Sequence, residues 1–116
     1  MKKNAAAEKS FAFAVRIVKL YRHLSENKKE YVLSKQLLRC GTSIGANVSE
    51  AQRAQTLADF HSKMTIALKE ANETLYWLKL LYQTEYISIR QYNSIYPDID
   101  ELLRILTAIC KSSRHE

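Results

Sequence analysis

A chain of 116 residues, 47% hydrophobic and 26% charged, has room for one buried core and is too short for two domains. Two glycines and one proline are too few breakers for a many-stranded β fold, which needs a turn every ten residues or so, and no apolar run approaches the roughly 20 residues that span a bilayer. Eighteen lysines and arginines against twelve acidic residues leave a net charge of +6, a balance that suits phosphate-bearing partners.

The amino-terminal stretch MKKNAAAEKSFAFAV lacks the long apolar segment and cleavage site of a signal peptide, so a cytoplasmic protein is expected. The first helix is predicted over roughly 5–27. It carries two adjacent apolar stripes at spacings of three and four: Phe11, Val15, Val18 and Tyr21 or Arg22 on one, Phe13, Ile17, Leu20 and Leu24 on the other. The polar run SENKKE is a short turn. In the second helix, roughly 31–54, the stripe Leu33, Leu37, Cys40, Ile44, Val48 and Ala51 keeps its phase straight through CGTSIGANVSEAQ, which holds both glycines.

A glycine inside a helix costs roughly 1 kcal/mol relative to alanine, so the missing side chains must permit something. Gly41, Gly45 and Ser49, spaced by four, make a smooth strip that another backbone can approach closely. That backbone is either a neighbouring helix of the same chain or a second subunit, and a ligand at the strip is a third reading.

The third helix starts after Thr56, which can cap it with Asp59 three residues on, and reaches about Tyr86. Ser88 and Gln91 repeat the capping arrangement and open the fourth, which continues through Ile99, Leu103, Leu106 and Cys110. Pro97 is expected to kink or restart it. Connections this short force antiparallel neighbours, so the expected fold is a single all-α domain over 1–116, an up-down-up-down four-helix bundle.

Polar residues follow their own register. Arg39, Ser43, Asn47 and Glu50 line one side of the second helix beside its apolar stripe, and Glu70 and Glu73 sit between Ile66 and Trp77 on the third. A carboxylate flanked by apolar groups needs a cation or a donor, and Arg39 and Asn47 are the candidates. One polar network that sets helix register, a ligand or partner site built from the same groups, and plain solvated faces all fit this pattern. Carboxylates can act as acid and base, but no nucleophile accompanies these. The Glu-x-x-His pairs of di-iron bundles are absent, and His23, His61 and His115 are far apart in sequence. Cys40 and Cys110 fall on apolar stripes without a Cys-x-x-Cys motif, so buried free thiols are expected in place of a disulfide or a zinc site. The expectation is a protein without enzymatic activity, cofactor or metal.

Positive charge is concentrated at the amino-terminal end. Up to Arg39 there are ten lysines and arginines against three acidic residues, and beyond it eight against nine. Lys9, Arg16, Lys19 and Arg22 follow one face of the first helix, and Lys2, Lys3, Lys28, Lys29 and Lys35 extend it. Such a surface suits phosphate backbones, while simple solubility and attachment to a membrane surface are the competing readings. Tyr76, Trp77, Tyr82, Tyr86, Tyr92 and Tyr96 lie in the other half, leaving only Tyr21 and Tyr31 among the basic residues. Backbone contact is therefore favoured over base readout, and the surplus rings suit subunit contacts.

QLLRCGTSIGANVSEAQ, followed by DFHSKMTIALKEANETLYWLKLL and ELLRILTAICKS, resembles the four-helix-bundle proteins encoded in intervening sequences of bacterial 23S ribosomal RNA genes, often labelled ribosomal-protein-like. The most specific part is Arg39, Ser43-Ile44, Asn47 and Glu50 with Glu70 and Glu73. This sequence departs from many members at Gly45, Ala51 and Pro97. The resemblance implies a homopentamer without enzymatic activity. Related accessory proteins of diversity-generating retroelements are basic pentamers that bind nucleic acid and a reverse transcriptase, which implies RNA, DNA or a protein as partner. The expected function is an oligomeric bundle that binds RNA or another nucleic acid through its basic face, with a protein scaffold as the alternative.

Overall fold

The computed structural model describes residues 4–114, and Lys2, Lys3 and His115 lie outside them. Four helices make up the fold: α1 (Ala5–Arg22), α2 (Leu33–Ala51), α3 (Leu57–Gln83) and α4 (Ile89–Ser112). A π-helical turn, His23–Asn27, prolongs α1, so the helical path ends where the apolar periodicity does.

Local hydrogen bonds explain most of the boundaries. The Asn4 side chain accepts from the Ala7 N–H at 3.0 Å, and Thr56 Oγ1 accepts from the Asp59 N–H at 3.0 Å. Ser88 and Gln91 form the full reciprocal box: Ser88 Oγ accepts from Gln91 N at 3.1 Å and Gln91 Oε1 from Ser88 N at 2.7 Å. α2 starts without a side-chain cap at Val32. Instead the Glu30 carboxylate, only 8% exposed, accepts from the N–H groups of Val32 (3.1 Å), Leu33 (2.9 Å) and Ser34 (2.7 Å). Lys29, at φ 57°, reverses the chain just before it.

Cross-helix contacts set the directions. Along α1 and α4, Lys9 meets Glu101, Arg16 meets Asp98 and His23 meets Gln91, so the two run antiparallel. Arg39 with Glu70 and Glu50 with Lys63 give the same sense for α2 and α3. Ile17 over Gly41 and Ser10 over Gly45 do so for α1 and α2, and His61 with Ser113 and Tyr82 with Tyr92 for α3 and α4. The up-down-up-down bundle follows, and the α1–α4 seam is the most sparsely packed of the four.

Phe13, Ile17, Leu24, Leu37, Ile44, Met64, Leu78, Leu81, Ile99, Leu102 and Leu106 fill the core. The α2 stripe is buried as its phase predicts, with only Leu33 partly open. On α1 the structure selects one of the two stripes: Phe13, Ile17 and Leu24 point inward, whereas Phe11 is 71% exposed and Val15 faces out. The choice follows from the glycines. Gly41 and Gly45 let α1 settle closely on α2, and the α1 face that meets them carries Ser10 and Ile17. The small-residue strip is thus a contact within the chain at Gly41 and Gly45, while Ser49 is exposed.

α4 decides against one of the two alternatives expected at Pro97, the restart: it runs unbroken from Ile89 to Ser112. Proline removes one backbone hydrogen bond, and Ile95 and Ile99, both buried, hold the helix to the core on either side of the gap. Among the described residues no helix is long and apolar enough to cross a membrane.

Candidate nucleic-acid interface

The basic face read along α1 divides in two. Its first half is bonded to α4: Lys9 Nζ lies 3.3 Å from Glu101, and Arg16 Nη1 lies 2.7 Å from Asp98 while also donating to the Ser94 carbonyl at 3.0 Å. Arg16 Nη2 donates to Ser94 Oγ at 2.8 Å. These two cations brace the sparse α1–α4 seam.

Lys19, Arg22, Lys28, Lys29 and Lys35 are exposed and form no ion pair among the described residues. They share the end of the bundle at which α1 finishes and α2 and α4 begin. Arg90, in the first turn of α4, joins them there, also exposed and unpaired. Sequence reading missed Arg90 because it lies far away in the acidic half. The available signal was topological, since antiparallel packing sets the start of the fourth helix beside the end of the first. Glu26 and Glu85 are the exposed carboxylates at this end; Glu30 is turned inward onto the N–H groups of α2.

Two concavities open among these cations. Between α1 and α4, Arg16, Lys19, Arg90, Gln91 and Ser94 line a cleft of about 490 Å³ floored by Leu20 and Ile95. A groove of about 410 Å³ adjoins it through Gln91 and is bordered by Lys28, Tyr82, Tyr86 and Ser88. Most of the carboxyl-terminal rings pack on one another. Tyr82 and Tyr92 are stacked with centroids 5.1 Å apart, Tyr92 and Tyr96 lie 5.7 Å apart, and Tyr76 meets Trp77 edge-on at 5.1 Å.

The polar residues of α2 and α3 do not join in one network. Arg39 reaches Glu70 Oε1 at 3.4 Å and also binds Glu73, which in turn accepts from Trp77 Nε1 at 3.2 Å. Asn47 does not meet Arg39; its amide donates to the Ser43 carbonyl at 2.9 Å and to Ser43 Oγ at 3.2 Å, one turn back on the same helix. Glu50 pairs with Lys63 at 3.3 Å. The reason is reach: Asn47 lies two turns beyond Arg39 on α2 and Glu50 a further turn on, and each pairs with a group nearby on α2 or α3. Among the described residues every buried side-chain polar atom has a hydrogen-bond partner, and no three His, Cys, Asp or Glu converge as a metal site. Cys40 is buried, which pushes its thiol pKa up, and Cys110 is partly exposed; both are free.

Comparison with known proteins supplies the rest. Residues 2–108 match the family model described as 23S rRNA-intervening sequence protein. No curated protein matches the chain. Among solved structures, a protein of unknown function from the S23 ribosomal protein family of Bacteroides thetaiotaomicron superposes with a TM-score of 0.90 at 57% identity, over 91% of this chain and 98% of that one. The fold, the match along nearly the whole chain and this solved relative agree, and the chain belongs to the 23S rRNA-intervening sequence protein family.

Proposed function

We propose that this protein is a non-enzymatic, oligomeric four-helix bundle that binds the phosphate backbone of RNA or another nucleic acid at one end. The observation that carries this reading is the gathering of Lys19, Arg22, Lys28, Lys29, Lys35 and Arg90 at that end without ion-pair partners among the described residues. Cations already satisfied by carboxylates gain little from a phosphate. Unpaired ones release condensed counterions from the nucleic acid when they bind, which makes affinity depend steeply on salt. Fluorescence anisotropy of a labelled generic RNA, titrated between low and physiological salt, tests the reading. Binding with a steep salt slope and little dependence on sequence is expected, and absence of binding even at low salt overturns it.

Assembly is part of the proposal. The family resemblance supports a closed homopentamer, and Phe11, Val32 and Tyr76, each more than half exposed, offer apolar surface for subunit contacts. A ring would repeat the basic end around its axis and raise affinity through multivalency. Light scattering at micromolar concentration checks this, and a monomer mass refutes it. The same exposed apolar residues favour a second reading, a scaffold for a protein partner, which takes precedence if RNA fails to bind.

A further inference from the structure

We infer that the cleft between α1 and α4 is a binding site for a phosphomonoester, the terminal phosphate group of a nucleotide. The inference deepens the backbone reading, with which it shares Lys19 and Arg90, by assigning those two cations to a discrete pocket completed by Arg16 and Ser94.

Three features converge on this ligand class. The first is charge. Asp98 compensates Arg16, but Lys19 and Arg90 have no carboxylate partner among the described residues, so the cleft walls hold two uncompensated positive charges. A phosphomonoester carries about −1.5 to −2 at neutral pH and matches that balance; a backbone phosphodiester carries a single charge and does not.

The second is donor geometry. A guanidinium has five N–H donors. Arg16 uses three of them, two on Nη1 and one on Nη2, for the Ser94 carbonyl, Asp98 and Ser94 Oγ. Nε–H and one Nη2–H remain on a guanidinium that its protein partners already fix in place. Fixing it beforehand lowers the ordering cost of binding an anion. Ser94 Oγ accepts from Arg16, so its own hydrogen is free to be donated.

The third is shape. The cleft's roughly 490 Å³ falls within the range of small-molecule sites, and its apolar floor of Leu20 and Ile95 gives a base or ribose a surface to cover beside the cationic walls. Farther along the same seam, Lys9 and Glu101 flank a smaller recess of about 210 Å³ in which the charges cancel. The cationic cleft is therefore a local feature of one end of the seam.

Isothermal titration of the full chain with adenosine 5′-monophosphate, and with adenosine as the uncharged probe, tests the site. The monophosphate should bind and adenosine should not. Lys19→Gln and Arg90→Gln should each weaken monophosphate binding by about tenfold or more, as expected for loss of a charge-assisted contact, while Lys69→Gln and Lys111→Gln leave it unchanged. All four positions are exposed, and circular dichroism checks that each variant folds. Equal binding of adenosine, no binding of the monophosphate, or equal loss in the Lys69 and Lys111 variants overturns the inference. An RNA oligonucleotide with a 5′-phosphate, compared with its 5′-hydroxyl counterpart, separates the two sources of such a group. Preference for the phosphorylated end places the natural ligand on a nucleic-acid terminus, and no preference alongside monophosphate binding places it on a free nucleotide. Salt-dependent RNA binding without monophosphate binding leaves the backbone reading standing and removes only the cleft.

Discussion

Gly41 lies directly under Ile17: a β-carbon at Gly41 would stand 2.8 Å from Ile17 Cγ1 and 2.9 Å from Cγ2. Ile17 is fully buried and branched at its β-carbon, with both γ-carbons against the glycine, so it cannot swing away. Gly41→Ala should therefore cost about 1–3 kcal/mol in overpacking, which offsets or exceeds the roughly 1 kcal/mol gained in helix propensity, and Gly41→Leu should cost more. At Gly45 the added carbon would lie 3.2 Å from the Ser10 carbonyl oxygen, and Gly45→Ala should be milder. Ser49→Ala, on the exposed end of the same strip, is the control. Thermal unfolding that gives Gly41→Leu an unchanged or raised Tm would show that the glycine has no packing role.

Glu30 should make stability depend on pH. Burial pushes its carboxyl pKa up, but the N–H groups of Leu33, Ser34 and Val32 outweigh that and hold it below the usual 4.5. Because the folded-state pKa is depressed, the stabilisation is present above the unfolded value and is lost as pH falls from about 4.5 through the lower folded value. Glu30→Gln keeps an acceptor but removes the charge, and should cost about 1 kcal/mol at neutral pH. In urea melts the gap between Glu30→Gln and the natural protein should close on acidification. Parallel profiles down to acid pH would exclude the charge as the source.

These relationships differ in how far the sequence reveals them. The α2 stripe and the Thr56 and Ser88 caps are local, since residues three or four apart decide them. The inward face of α1 is not wholly local: both of its stripes are largely apolar, and the one that turns inward carries the Ile17 that meets Gly41 of another helix. Lys9 and Arg16 could not be recognised as paired because Glu101 and Asp98 are more than 80 positions away in sequence. The rule that proline breaks helices is local too, and it yields at Pro97 to burial on both flanks. Glu30 escaped notice because it caps α2 from outside the helix, in a run that reads as a polar turn.

Arg39 matters for what it leaves behind when removed. The Glu70 side chain is only 12% exposed, and Arg39 is its salt-bridge partner. Arg39→Gln should cost about 1–3 kcal/mol by leaving that carboxylate uncompensated. Glu50→Gln, which breaks an exposed pair with Lys63, should change stability by less than about 0.5 kcal/mol. Adding Glu70→Gln to Arg39→Gln should recover much of the loss, because a neutral amide needs no cation. If Arg39→Gln is as stable as the natural protein in urea, the brace between α2 and α3 contributes nothing.

The division of the basic face yields the sharpest test of nucleic-acid binding. Lys9 and Arg16 already hold Glu101 and Asp98, so a phosphate would have to compete with an intramolecular carboxylate for each. Lys29 and Lys35 face no such competitor, and neither lines the α1–α4 cleft. Replacing Arg22, Lys28, Lys29 and Lys35 together by glutamine should weaken RNA binding uniformly across sequences. It should also reduce the slope of log affinity against log salt by close to one unit for each phosphate that is no longer neutralised. Lys9→Gln should lower affinity far less, because it frees Glu101 while removing a cation that was largely neutralised. Lys69→Gln with Lys111→Gln, on exposed surface away from the basic end, controls for net charge. Losses that simply scale with the four, one and two charges removed would mean that attraction follows total charge alone; a loss per charge that is larger in the first variant assigns binding to the end where α1 finishes and α2 begins.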